Sequence, residues 1–582
     1  MRKKQVGAIC LSVVTAVSVL SGCGGGTNAL EVGSTTAAAS GSEEKADDMS
    51  AVFDLTPGNL PIVVDREKAP TFKIARSRDP LQTIDTSELV MSKRLEEETG
   101  VKISWEEIPT VGLTEKVNLM LTGSELPDAF WDCITNDMLS VYMGQDLLIP
   151  VNELEEKYMP NLTKIYEEHP EYKALATAPD GNRYGFPYIE EMYGLVRTPG
   201  PFLINQTWLD KVGKEMPTTL DEWVDCLRAF KEAGDLNGNG IDDEVPLTLG
   251  FASTDMYDSY DLFNRFCAAF GVPTTAGDER ADDYMTIIDG KVTFTAADPA
   301  YKETAKFFHQ LYEEGLIDVN AFSPSPNPRY ALYWDQIKGD TALYGCFGTW
   351  SPANEIPNVD VRNQYAPLPR LEGPNGKIGE VLNNSEMQRA TRFVITSACK
   401  YPEVLARMID HMYEPYTSIS FNWSPEGYVY HENSDGKWVF EFNDDGTVKI
   451  PEPWNSISEV SNNTRGTKGS TAIFNDYYED KVEYDYAAQD LLKFQRENGK
   501  DEYLAEITSV PPVLKTAEEM ASISQIQPQI KNIVSSYRMQ WVLDGDADDT
   551  WDKYLKELDA AGLPQLVEIM QGAYDRYLEN QK

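Results

Sequence analysis

An α/β fold in two lobes is what this chain predicts, and three observations predict it. About 510 residues follow a polar N-terminal stretch, more than one hydrophobic core usually organises. From Thr71 onward, segments with strand-type alternation trade places with segments of helical periodicity. Further along, a short apolar run at Phe202–Asn205 is followed by two helical stretches, as expected where a chain crosses into a second lobe.

Taken in order, Thr71–Arg76 reads as a strand, Ser87–Thr99 as an amphipathic helix and Val101–Ile108 as a second strand, which together make a β-α-β unit. Thr114–Thr122 is helical and leads into Leu126–Asp132, a Pro-Asp turn entering a short buried strand. Helices are expected at Asn152–Tyr158 and Leu162–Glu168. That order implies parallel strands, whose ligands gather at the carboxyl ends, where Trp131 and Asp132 stand. In the second lobe, Gln206–Val212 and Thr219–Glu232 are helical, with Thr218 or Thr219 as the cap ahead of acidic residues. After Lys500 the chain is mostly helical, ending in Trp551–Ala561 and Leu563–Asn580.

The N-terminus has a basic trio, Arg2-Lys3-Lys4, an apolar run from Val6 to Val19 and then Leu20-Ser21-Gly22-Cys23. The run is shorter than the roughly 18 residues of a membrane span, so residues 1–22 are expected to be an export signal. The tetrapeptide resembles the lipobox of bacterial lipoproteins, which implies that Cys23 becomes the lipidated N-terminus, carrying palmitate-type acyl chains. Gly24–Met49 is rich in Gly, Ser, Thr, Ala and charge and lacks aromatic residues, as a solvated tether would. The expected boundaries are a lipidated N-terminus and tether at 23–65, an N-terminal lobe at 66–200 plus 391–460, and a C-terminal lobe at 205–390 plus 465–582.

The formal net charge is −43, and losing Arg2, Lys3 and Lys4 with the signal leaves the chain still more acidic. Such a field repels nucleic acid and anionic headgroups. Of seven cysteines, Cys10 leaves with the signal and Cys23 takes lipid. The five others show neither close pairing nor metal-type CxxC spacing. Catalytic signatures are poor. His169, His309, His411 and His431 form no HExxH, and neither GxSxG nor a phosphate loop occurs, so no enzyme is expected.

Asp235-Leu-Asn237-Gly-Asn239-Gly240-Ile241-Asp242-Asp243-Glu244-Val-Pro246 places oxygen-bearing side chains at loop positions 1, 3, 5 and 9 and glycine at 6, as the first part of an EF-hand loop does. Pro246 stands where the bidentate Glu belongs, and Glu244 is the substitute carboxylate. The ligand set for a structural Ca²⁺ would be Asp235, Asn237, Asn239, Asp243 and Glu244 with the Ile241 carbonyl. The competing reading is an Asn-Gly turn that binds nothing, since the same residues form turns.

Aromatic residues form the other signal: Trp131, Tyr188, Tyr193, Trp334, Trp350, Trp423, Tyr428, Tyr430 and Trp454 fall in loops or at strand ends. Sugars offer apolar C–H faces edged by hydroxyls, so a carbohydrate site joins flat rings to carboxylates and amides. Trp131 with Asp132, and Trp423 with Glu426 and Tyr428, supply that pairing; each ring taken singly could equally be core.

Several stretches resemble the extracellular solute-binding lipoproteins of bacterial ABC importers, family 1 and LipO-like, related to alginate-oligosaccharide- and maltose-binding proteins. Val117–Asp128 and Ala178–Pro187 resemble first-lobe signatures of that family. Ile204–Lys211, Met216–Trp223 and the Asp235 loop are similar to its crossover and calcium region, and Trp551–Leu558 and Gln571–Tyr577 to its closing helices. The resemblance implies a type II periplasmic-binding-protein-like fold, α/β with a hinge between the lobes. It implies a ligand site at Trp131, Asp132, Tyr188, Trp350, Trp423, Glu426 and Tyr428, with Gly348-Thr349-Trp350 similar to a Gly-x-Trp platform. Only Gly427 of a Gly-x-x-Gly-x-x-Tyr-like pattern is retained. The expected function is capture of an oligosaccharide outside the cell and its delivery to ABC permease subunits by a monomer anchored on the extracellular face of a Gram-positive-type membrane. A secreted polysaccharide-active hydrolase, or a sensor or adhesion lipoprotein without transport, are the alternatives.

Overall fold

The computed structural model describes residues 49–123, 125–191, 201–250, 262–274, 284–322, 339–349, 356, 358–379, 387–443, 448–483 and 509–582. The lipobox, Cys23, Tyr193, Trp334 and Trp350 lie outside them. Among the described residues no helix is long and apolar enough to cross a membrane.

In the first lobe, β1 (Thr71–Arg78), β2 (Lys102–Pro109), β3 (Ala129–Trp131) and β4 (Phe186–Glu190) carry apolar residues that alternate between two cores. Phe72, Ile74, Ala129, Trp131 and Phe186 face one core, while Ala75 and Phe130 face the other. Period-two alternation thus buries both faces of one sheet under helices, giving three layers. The β-α-β unit is present as read: the helix Val90–Thr99 joins β1 to β2, which pair in parallel from Thr71 opposite Lys102 to Arg78 opposite Pro109. Gly100 ends that helix in the left-handed region (φ 75°). A Cβ there would meet the Val63 carbonyl oxygen at 2.6 Å, so glycine serves both the turn and the close approach.

The second lobe holds β5 (Phe202–Asn205), β6 (Val245–Leu247), β7 (Met285–Ile288), β8 (Lys291–Phe294), β9 (Tyr344–Gly348) and β10 (Tyr365–Pro367). Its main sheet has the order β10-β5-β9-β6, and its core takes in the helices Leu220–Ala233, Pro299–Glu313 and Ala517–Asp544. The expected cap is a full capping box: Thr219 Oγ1 accepts from Glu222 N (3.2 Å), and the Glu222 carboxylate accepts from Thr219 N (3.2 Å).

The chain re-enters the first lobe at β11 (Met387–Ile395) and continues through β12 (Tyr430–Glu432), β13 (Trp438–Phe440), β14 (Ala472–Ile473) and β15 (Val482–Glu483). The first-lobe sheet runs β14-β4-β11-β3-β1-β2. It is mixed, not wholly parallel: β11 arrives from the other lobe and pairs antiparallel with β3 and β4.

Three expected boundaries shift. Val52, Phe53, Ile62 and Val63 are buried in a first-lobe core, so residues 49–65 dock and the tether ends earlier than 65. Residues 465–483, placed by the sequence in the second lobe, belong to the first, where β14 pairs with β4 from Ala472 opposite Ile189. Val513 and Ala573 also join a first-lobe core while Val510, Leu566 and Met570 stay in the second, so the C-terminal part touches both. In each case apolar side chains find a core that local composition does not reveal.

Candidate functional site

The carboxyl ends of β1, β3 and β4 and the start of β11 meet on one edge of the first-lobe sheet, as the parallel-sheet rule requires. Charge collects there. Asp132 follows β3 in the left-handed region (φ 56°), where its short side chain is tolerated. It ion-pairs with Arg389 (2.7 Å) and with Arg392, and accepts from Ser77 Oγ at 2.9 Å. Trp131, beside it, is only 1% exposed. Its ring packs edge-on to Trp105 and Phe393, with the Arg76 guanidinium 4.7 Å from its centroid, and its Nε1 donates to the Lys468 carbonyl (3.0 Å). The sequence offered Trp131 as an open sugar platform; the structure makes it the floor under the polar edge, because its own ring is what the sheet buries.

Arg76 is itself buried at the end of β1, and its Nη2 donates to the carbonyls of Arg465 (2.6 Å) and Thr467 (2.7 Å). Burial, with the neighbouring Arg465 charge, pulls this guanidinium down to about 9, while Asp132 and Glu107 oppose the shift. Gly466 lies in the left-handed region (φ 71°), and a Cβ there would stand 2.9 Å from Arg76 Nη2. The segment 465–468 is therefore sewn to β1, with Thr467 Oγ1 donating to the Ser77 carbonyl at 2.6 Å.

Tyr188, on β4 and 3% exposed, is likewise enclosed. Its hydroxyl donates to Glu190, with Asn422 Oδ1 as the alternative acceptor at 2.9 Å, and accepts from Lys468 Nζ (2.7 Å). Arg392 sits over its ring at 4.9 Å. Glu190 also accepts from Asn422 Nδ2 (2.6 Å) and Tyr478 Oη (2.9 Å). Burial works to raise that carboxyl, yet the Lys468 charge and these donors outweigh it and hold the group below its ordinary value.

The remaining aromatic candidates among the described residues, Trp423, Tyr428, Tyr430 and Trp454, pack in a small satellite around the sheet β12-β13-β15. Trp423 is half-buried, 5.1 Å from Tyr478 and 5.9 Å from Phe440, and its carbonyl accepts from Arg465 Nε (3.3 Å). Through Tyr478 and Arg465 it adjoins the polar edge. Tyr428 is half-buried against Trp454 (6.0 Å), and exposed Glu426 accepts from Glu432 N at 3.1 Å. Gly348 closes β9 just ahead of Trp350. Missed by the sequence reading were Arg76, Glu190, Arg389, Arg392, Asn422, Arg465 and Lys468. Arg76 obeys the strand-end logic that found Asp132, whereas nothing local marks Lys468.

Residues 82–415 match the family of bacterial extracellular solute-binding proteins. The chain is 34% identical over 525 residues to the fructooligosaccharide ABC transporter substrate-binding protein FusA of Streptococcus pneumoniae, covering 88% of this chain and 92% of that one. The chain belongs to the bacterial extracellular solute-binding proteins. The structure of FusA in complex with kestose superposes on this solute-binding protein with a TM-score of 0.70 at 32% identity, over 88% of this chain and 100% of FusA. A solute-binding protein from Bifidobacterium longum infantis shares the fold (TM-score 0.73, 23% identity, 88% of this chain and 99% of that one). The fold is thus the two-lobed solute-binding fold that the resemblance implied.

The Asp235 loop of this solute-binding protein lies apart from the polar edge, between the helix Leu220–Ala233 and β6. Asp235 accepts from the amides of Gly238 (2.7 Å) and Gly240 (2.9 Å), Asn237 Oδ1 from Asn239 N (2.9 Å), and Asn239 Oδ1 from Ile241 N (2.7 Å). Glu244 accepts from Asn237 N (2.7 Å) and Asp243 N (3.2 Å). Among the described residues no three His, Cys, Asp or Glu side chains converge as a metal site. The donor set is nonetheless all hard oxygen, and the Asn237 and Asn239 amides that reach Asp243 through nitrogen (3.3 and 3.2 Å) present oxygen when turned over.

Proposed function

We propose that this protein is the substrate-binding component of an ABC importer that captures an oligosaccharide between its lobes and passes it to permease subunits. The observation that carries the reading is the similarity to FusA across nearly the whole chain, on a fold whose first lobe ends in a dense polar edge. Asp132 and Arg389 supply a carboxylate and a guanidinium for sugar hydroxyls, and Trp423, Glu426 and Tyr428 a partly open flank; Trp350, outside the described residues, is proposed from the sequence alone as a further platform. Trp131 and Tyr188 hold these groups from beneath. Binding shifts the hinge toward a closed form by its differential affinity for that form.

Cys23 carries the lipid that keeps the receptor on the outer face of the membrane, and the protein acts as a monomer. The Asp235 loop holds a structural Ca²⁺ through Asp235, Asn237, Asn239, the Ile241 carbonyl, Asp243 and Glu244; a FusA EF-hand mutant in complex with fructo-nystose has been solved, which supports reading this loop as a related one. Tryptophan emission titrated with a glycan panel that includes 1-kestose tests the ligand class. A saturable shift with at least one oligosaccharide is expected. A response to peptides but to no glycan sinks the reading.

A further inference from the structure

Lys468 is held at both ends. Its carbonyl accepts from Trp131 Nε1 (3.0 Å), and the preceding carbonyl, that of Thr467, accepts from Arg76 Nη2 (2.7 Å). At the other end its Nζ donates to Tyr188 Oη (2.7 Å) and to Glu190 Oε2 (3.3 Å), beside the Tyr188 ring at 5.1 Å. These anchors are rigid: Tyr188 and Glu190 are 3% and 2% exposed, and Asn422 and Tyr478 fix the Glu190 carboxylate.

An ammonium has three donors and these contacts occupy two. The Lys468 side chain nevertheless keeps 38% of its surface open. A lysine serving only as a strut for Glu190, whose side chain is 2% exposed, would be expected to be as enclosed as its partner. Here the carboxylate also has neutral donors from Tyr188, Tyr478 and Asn422, so the Lys468 ammonium balances its charge without spending all three of its own N–H groups on it. Burial, with Arg465 and Arg392 adding to it and Glu190 opposing, also holds this amine below the ordinary lysine value. Its head is thus partly stripped of water before any ligand arrives, which reduces the cost of binding.

We infer that Lys468 is a ligand-contacting, specificity-determining residue whose third N–H donates to an acceptor oxygen of the bound saccharide, with Glu190 and Tyr188 as its positioning residues. This rests on the carbohydrate reading above. The shared chemistry is an oxygen acceptor, supplied by a hydroxyl of a neutral sugar or by a uronate carboxylate.

The mature protein and its Lys468→Met and Lys468→Arg variants are titrated calorimetrically with 1-kestose and with trigalacturonate, at low and high salt, and their melting temperatures are recorded. Lys468→Met is expected to weaken binding about ten- to a hundredfold, as loss of a charged hydrogen bond does, and also to lower the melting temperature because the buried Glu190 loses its cation, so the titrations are run well below the variant's melting temperature. Lys468→Arg should recover part of the loss. Salt-dependent binding of trigalacturonate identifies the carboxylate acceptor, and salt-independent binding of 1-kestose the hydroxyl. In the wild type, bound glycan should also shield Lys468 from acetylation, a readout a strut would not give. Equal dissociation constants for wild type and Lys468→Met, with Lys468 acetylated at the same rate with and without glycan, overturn the inference while leaving the carbohydrate reading intact. A wild type that binds neither glycan overturns it together with that reading for these two ligand types.

Discussion

The two lobes finish their sheets differently. In the first, Arg76 near the end of β1 and Glu190 at the end of β4 are hydrogen-bonded to the 465–468 segment, and Asp132 after β3 is ion-paired with Arg389 near the start of β11. In the second, β5 and β9 bring Phe202, Leu203, Ile204, Cys346 and Phe347 into one apolar core. At the end of β5, Asn205 caps the next helix by accepting from Trp208 N (3.0 Å). The acidic loop of the second lobe lies on its surface, bonded to its own amides. The first lobe therefore presets a polar edge, the one proposed to meet the ligand, and the second bonds its oxygen cluster to its own backbone. A polar edge fixed before binding spares the ligand the cost of ordering it.

Four measurements press on that contrast, beginning with the largest effect. Trp131→Ala removes the floor of the polar edge and should cost about 3–5 kcal/mol of stability, read by denaturant unfolding, as burial of a large aromatic predicts. A loss under about 1 kcal/mol would mean that the ring is not the support described. Asp132→Asn removes the charge of the carboxylate that Arg389, Arg392 and Ser77 share and should cost about 1.5–3 kcal/mol, as loss of a charged hydrogen bond does. Unchanged stability here would show that the edge is hydrated enough to tolerate the loss.

For the second lobe, adding calcium at about a hundred times its dissociation constant should stabilise the fold by about 2.7 kcal/mol. Chelation should lower the melting temperature, and Asp235→Ala should abolish that sensitivity. An identical melting curve with and without chelator returns the loop to a plain turn. The smallest effect concerns pH and falls in the first lobe. Asp410 accepts from Asn161 N (3.0 Å) and Leu162 N (3.1 Å), and burial raises its carboxyl from 3.8 to about 6 against these bonds and Arg407. The folded state thus holds this proton more tightly than the unfolded chain does. Its contribution is complete below 3.8 and is lost as pH rises through about 6. Asp410→Asn should flatten the stability profile across that window, and a slope as steep as the wild type's would assign the titration to another group.

What was legible in the sequence was local. The β-α-β unit, the Thr219–Glu222 capping box and the 235–246 loop each lie within a few dozen residues, and their signals are periodicity, a cap pair and donor spacing. The polar edge is not local: Arg76 meets Thr467 across 391 positions. Asp132 was found because a strand end is a known place to look, and its partners Arg389 and Arg392 were not, because β11 reverses direction only through tertiary pairing. Trp131 shows the limit in miniature. A tryptophan at a strand end reads alike whether its ring opens to solvent or carries a buried arginine, and only the fold decides.

The most direct test of the account is calorimetric titration of the mature wild-type protein and its Asp132→Asn variant with the oligosaccharide that shifts tryptophan emission most. Saturable one-site binding by the wild type, weakened about tenfold or more in the variant, as loss of a charged hydrogen bond predicts, is the expected result. Equal affinity in the two proteins would contradict a ligand site at the first-lobe strand ends.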